Sequence, residues 1–191
     1  MKKTKLSVQD MCMIGVSTAI IAIMAQISIP MPAGVPLTMQ TFAITLIAIV
    51  LGAKNSALAT LIYVLLGAIG IPVYAGLVGG VAKLVGPTGG FLFSFPIMAL
   101  IIGIGADRYR KNKAWLVVGI VAGTVVNYIC GVLWFCFVTW TAESTIAGSL
   151  VTAFSACVLP FIPTAILKAV LAVAVGLPVR IRVVPAVCQS N

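Results

Sequence analysis

Long apolar runs, broken by glycine, proline and small basic clusters, limit this chain more than any other feature. A bilayer's hydrocarbon core is about 30 Å thick, and about 20 helical residues cross it with every backbone polar group satisfied inside the helix. A closed barrel is the other solution. It would need segments of about ten residues alternating apolar and polar, and that alternation is absent here. The residues are 62% hydrophobic and 8% charged, against roughly 25% charged in an average soluble domain. An all-α integral membrane protein is the class that fits.

The pattern predicts six spans, over about residues 11–29, 38–51, 56–69, 91–106, 114–138 and 161–177. Several are shorter than a bilayer needs, so their ends extend into the flanks. A further apolar stretch, 144–158, precedes Pro160 and reads as an amphipathic or surface helix on the outer side. The opening MKKTKLSVQD is basic like the start of a signal peptide. The apolar run after it is longer than a typical signal core and more membrane follows, so it reads as the first span. Residues 1–191 read as a single transmembrane domain without a soluble unit or internal repeat.

Charge gives the orientation. Lys2, Lys3, Lys5, Lys54, Arg108, Arg110, Lys111, Lys113, Arg180 and Arg182 fall on one side of this layout, and Lys83 with Glu143 on the other. The positive-inside rule then places both termini in the cytoplasm, in a multi-pass protein of the cell membrane, with the loop 70–90 outside. The net charge of +9 is a topology signal on this reading, and nucleic acid is not expected as a partner.

Most catalytic and metal chemistry lacks its residues. There is no histidine, and Asp10, Asp107 and Glu143 are the only acids. The cysteines (Cys12, Cys130, Cys136, Cys157, Cys188) form no CxxC pair. Neither a metal site nor a cofactor is expected. An enzyme is disfavoured too, with Cys157 and Lys168 the only imaginable nucleophiles. The stretch GLVGGVAKLVGPTGG, residues 76–90, has the glycines of a phosphate loop. Its lysine comes before Gly86, however, Pro87 follows that glycine, and no strand pattern leads in, so a nucleotide is not expected.

Five features could carry function. Lys168 lies about two turns into the last span, with Thr164 and Ala165 at the preceding-turn positions and no acid to pair with. Intramembrane ionisable residues usually serve function, so it reads as a cation facing a hydrated cavity; snorkelling to the surface is the alternative. The glycine-rich loop 70–90 is too long for a plain turn and reads as a lid, with Tyr74 and Phe91 as aromatic walls; the alternative is a loose connector. Gln40, just inside the second span, offers donors and an acceptor to a ligand or to loop backbone. Asn127, Gly131 and Trp134 share a helical face, with Tyr128 beside them, and suit either a pocket or helix packing. Gly15 and Ala19 form a small-xxx-small pair that lets helices approach within this bundle or with a partner.

The blocks VPLTMQ, GIPVYAGLVGG, GPTGGFLFSFP, YICGVLW and PFIPTAILKA resemble the BioY family in order and spacing, over about residues 10–180. These are the substrate-binding S components of energy-coupling factor (ECF) vitamin transporters. The resemblance implies a six-helix bundle that binds biotin from outside. It implies a transmembrane coupling subunit and two cytoplasmic ATPases as partners, with Gly15 and Ala19 docking on the coupling subunit. It implies a ligand site built from Lys168, Gln40, Tyr74, Phe91, Tyr128, Trp134 and Thr164, closed by a lid holding Gly79, Gly80, Gly86, Gly89 and Gly90. The chain departs from the family pattern in three places. Thr164 and Ala165 stand where the family has Gly-Asp beside the lysine, Phe91 stands where it has Tyr, and Leu77 and Val78 stand where its loop has more glycine or a polar residue, so the implied pocket is less polar. Capture of a different small vitamin or precursor is the alternative, as is a subunit that only docks in a membrane complex.

Overall fold

The computed structural model describes residues 7–31, 35–140 and 146–188, with the side chains at 146, 147, 156 and 183–188 outside the description. The helices are α1 (Val8–Gln26), α2 (Gln40–Ala68), α3 (Val81–Val85), α4 (Gly89–Asp107), α5 (Ala114–Val138), α6 (Ile146–Cys157) and α7 (Ile162–Cys188). A two-stranded ribbon joins α1 to α2, with β1 (Ser28–Ile29) antiparallel to β2 (Leu37–Thr38). Four whole helices (α1, α2, α4, α5) and the run Gly148–Arg182 are long and apolar enough to cross a membrane.

The second and third predicted spans are the two arms of α2. Gly52 sits between them at φ 75° and ψ −175°, a conformation that glycine alone adopts readily. Gln40 and Tyr63 lie 23 residues apart, about 35 Å along a straight helix. Their side chains instead meet at 2.5 Å, so the arms fold back on each other. Counted as two arms, α2 brings the helical segments of the main bundle to six among the described residues, with α1, α4, α5 and α7.

A break in a helix frees backbone groups that lipid cannot satisfy. At Gly52 the parted pair is the Ala53 N–H and the Ile49 carbonyl. The Ala53 N–H donates to Asp107 Oδ2 at 3.1 Å. The Ile49 carbonyl accepts from Arg180 at 2.6 Å. Arg180 and Asp107 close the ring with an ion pair at 2.8 Å. One acid and one base, from α4 and α7, thus repair the bend in α2. Nearby, Ser7 and Asp10 cap the start of α1 reciprocally, and Asn55 donates to Asp10 at 2.8 Å.

α4 runs through the middle of the bundle, with Met98, Ala99 and Ile102 fully covered. It meets α5 backbone to backbone, because a Cβ at Gly105 would lie 2.9 Å from the Cα of Gly119. Small residues allow that approach where lipid supplies no hydrophobic drive. The other face of α5 repeats every four residues as Val117, Val121, Val125, Ile129 and Leu133, all exposed and apolar, as a lipid-facing surface requires. α6, at 12 residues, is about 18 Å long and too short to cross alone. It buries Ala153 and Cys157 beside Phe135 and Phe161, so the stretch read as a surface helix does lie on the flank of the bundle.

Boundaries differ from the sequence reading where backbone pairing competes with hydropathy. The first span ends at Gln26, and Ser28 and Ile29 pair in the ribbon. The last helix continues past 177 to Cys188. Glu143 and the first three lysines lie outside the described residues.

Arg180→Met should destabilise the protein by about 1.5–3 kcal/mol, the range for losing a charged hydrogen-bond donor. Unfolding in detergent checks this; wild-type stability would show that the ring at the bend contributes nothing.

Candidate functional site

At the end of the bundle away from Gly52, the chain leaves a pocket. Its walls come from the starts of α2, α4 and α7, the late part of α5, and the loop after α2. The space is roughly 670 Å³ including the part open at the mouth. Phe91, Leu92, Phe95, Tyr128 and Phe161 give it an apolar and aromatic lining. Lys83 and Lys168 are its charged lining residues among those described, and no carboxylate of the described residues lines it.

Lys168 is 8% exposed although charged. Its ammonium donates to the carbonyl of Thr38 at 2.6 Å. The ribbon places that carbonyl, since Thr38 pairs with Ser28 and the next residue, Met39, donates its N–H to Ile27 at 3.0 Å. From Thr38 a polar chain continues inward. The Thr38 hydroxyl donates to Gln40 Oε1 at 2.8 Å, Gln40 Nε2 donates to the Tyr63 hydroxyl at 2.5 Å, and that hydroxyl donates to the carbonyl of Val73 at 3.2 Å. Gln40 lines the pocket, but its amide already serves the wall on both sides. Tyr63 and Thr38 are the partners that sequence reasoning missed, because both contacts join residues that local pattern does not relate.

The loop over the pocket is built, not loose. Gln26, at the end of α1, donates to the carbonyls of Val73 at 3.2 Å and Tyr74 at 3.3 Å, and accepts from the Leu77 N–H at 2.9 Å. The Gly80 N–H donates to Gly67 at 2.7 Å. Trp134 donates its indole N–H to the Gly86 carbonyl at 2.9 Å. Tyr74 bridges Val78 through the backbone. Its ring is fully buried and meets Tyr63 edge-on at 5.7 Å, and its hydroxyl donates to Val64 at 2.6 Å. Burial pushes that hydroxyl up to about 12, so it stays a donor. The stretch read as a loop contains one short helix, α3.

The structure separates the residues expected to act together. Lys168, Gln40, Tyr74, Phe91 and Tyr128 all line the pocket. Trp134 and Thr164 are not among its lining residues: Trp134 tethers the loop, and the Thr164 hydroxyl donates back to Phe161 at 2.9 Å. Gly79, Gly80 and Gly86 belong to the loop, whereas Gly89 and Gly90 form the first turn of α4. A side chain at Gly90 would run into Trp134 and the Cys130 carbonyl, so that glycine serves close packing of α4 on α5. Asn127, Gly131 and Trp134 do share the face toward α4. Asn127 donates to Ser94 at 2.7 Å and to the Phe91 carbonyl at 3.2 Å, and the Phe91 ring occupies the space left by Gly131. Gly15 and Ala19 are exposed on α1, with nothing within 4 Å of a Cβ placed at Gly15.

A multi-pass helical bundle with a cationic, aromatic-walled pocket under a tethered loop belongs to the class of membrane-embedded small-molecule binders. The comparisons with known proteins narrow that class. A solved structure of the S-component for biotin from an ECF-type ABC transporter superposes with a TM-score of 0.76, at 25% identity over 91% of each chain. The biotin transporter BioY of Thermotoga maritima is 39% identical, over 87% of this chain and 92% of its own length. The biotin transporter BioY2 of Lactococcus lactis is 37% identical, over 93% and 92%. The BioY family model matches residues 1–184, and this chain belongs to the BioY family.

Trp134→Phe keeps an aromatic ring and removes the indole N–H. Amide hydrogen exchange across residues 80–88 should then rise by about fivefold, as expected when a bond worth about 1 kcal/mol is lost. Unchanged protection would show that the loop is held without it.

Proposed function

We propose that this chain is the substrate-binding subunit of an ECF-type vitamin transporter and captures biotin from outside the cell, with no catalytic step of its own. The observation that carries the reading is Lys168, a buried cation lining an otherwise mostly apolar pocket that no carboxylate among the described residues lines. Such a site favours a small molecule with an apolar body and a carbonyl or anionic group. Biotin has that form, with its ureido and thiophane rings and valerate tail. The printed names of the relatives point to the same ligand.

Lys168 supplies the cation, Phe91 and Tyr128 the walls, and Gln40 and Tyr74 the frame that keeps Thr38 and the loop in place. Thr164 acts through the turn at Phe161 that leads into α7, and Trp134 through the loop. The loop, with Gly79, Gly80 and Gly86, is the cover. Basic residues gather at the Gly52 end of the bundle, so the positive-inside rule puts both termini in the cytoplasm of a cell-membrane protein and the pocket outside. Uptake then needs partners that hydrolyse ATP: a transmembrane coupling subunit and two cytoplasmic ATPases. The bare face of α1 around Gly15 and Ala19 suits close approach by the coupling subunit. The whole chain acts as one transmembrane unit.

Calorimetry of biotin against the purified protein in detergent tests the reading, with Lys168→Met beside it. Tight binding is expected in the wild type, and a loss of about a hundredfold or more in the variant, equivalent to roughly 3 kcal/mol. A folded wild type that ignores biotin would overturn biotin as the ligand, and equal affinity in both proteins would remove Lys168 from the site.

A further inference from the structure

Thr88 is left unexplained by the account so far. Its Oγ1 is buried and has no hydrogen-bond partner, the one such side-chain atom among the described residues. The residue is 9% exposed and lines the pocket. It stands at the N-cap of α4, where a threonine hydroxyl ordinarily accepts a bond from the first turn. Here it does not, at φ −91° and ψ −4°. A buried hydroxyl withheld from its local partner is an unmet bond until something in the pocket supplies one.

Two further observations say what that something is. Lys83, in α3 on the same loop, is half-buried and also lines the pocket. α4, 19 residues long, begins directly after Thr88, and the N-terminal end of a helix carries partial positive charge. Lys168, by contrast, comes from α7 and is already bonded to Thr38. We infer that Thr88 and Lys83, at the head of α4, form an anion subsite that receives the carboxylate of the bound acid, separate from Lys168. The Thr88 hydroxyl donates to a carboxylate oxygen, and Lys83 supplies the countercharge. The inference rests on the biotin reading above and assigns the ligand's acid end to the loop.

The test titrates biotin and its uncharged primary amide against wild type, Thr88→Val, Thr88→Ser and Lys83→Met by calorimetry. The wild type should prefer the acid. Thr88→Val should weaken the acid by about tenfold to a hundredfold, and Thr88→Ser should restore most of it. Lys83→Met should shrink the ratio of acid to amide affinity by at least about fivefold. Biotin binding that is intact in Thr88→Val while lost in Lys168→Met overturns the subsite and leaves the biotin reading standing. An acid-to-amide ratio unchanged in Lys83→Met overturns it equally, and decides the matter if Thr88→Val does not fold. A wild type that binds no biotin overturns both readings.

Discussion

A helix that breaks must find new partners for the backbone groups it frees, and much of this structure follows from how that is done at Gly52. Among the groups freed there, one donor and one acceptor are taken by side chains of other helices. Asp107 takes the first and Arg180 the second, and the two bond each other. Most charged side chains of a membrane protein stay at its edges because burial is costly. This pair follows that rule, with Asp107 exposed at the end of α4 and Arg180 half-buried against the bend. The repair also fixes geometry. It holds α4 and α7 against the bend, and it lets the two arms of α2 run side by side so that Gln40 reaches Tyr63 at the far end.

The opposite end is organised by neutral groups. Thr38, Gln40, Tyr63 and the carbonyl of Val73 form a relay that ties the ribbon to the loop. Gln26 and Trp134 hold that loop from two other sides. The pocket therefore has a rigid frame made mainly from residues that are not themselves free to grip a ligand. The other lining residues, Lys168, Lys83, Thr88 and the aromatic faces, are the ones on which the proposed recognition rests.

Much of this was legible in the sequence, and the limits are physical. Hydropathy is local, so the spans could be read, and Ala114–Val138 came out with the bounds the structure shows. Lys168 stood out because a charge in an apolar run is expensive. Gln40 was visible as a polar residue, but its engagement by Tyr63 was not, since the two meet only after the chain doubles back. Gln26 gave no signal at all, because its bonds cross 47 to 51 residues. Thr88 was hidden inside a run of glycine and proline that suggested flexibility. Gly89 and Gly90 read as hinge material for the same reason, although in the fold they let α4 pack close to α5.

The tethers of the loop run to α1, α2 and α5, while Lys168 belongs to α7, which packs chiefly on α2. The pocket is thus a seam between the last helix and the body formed by the others. An occupant held at both Lys168 and the loop acts as a removable staple across that seam. Its binding energy would add to the bonds that already cross that seam, from Lys168 to Thr38 and from Arg180 to Ile49 and Asp107, so that occupancy of the pocket and cohesion of the last helix with the body are linked.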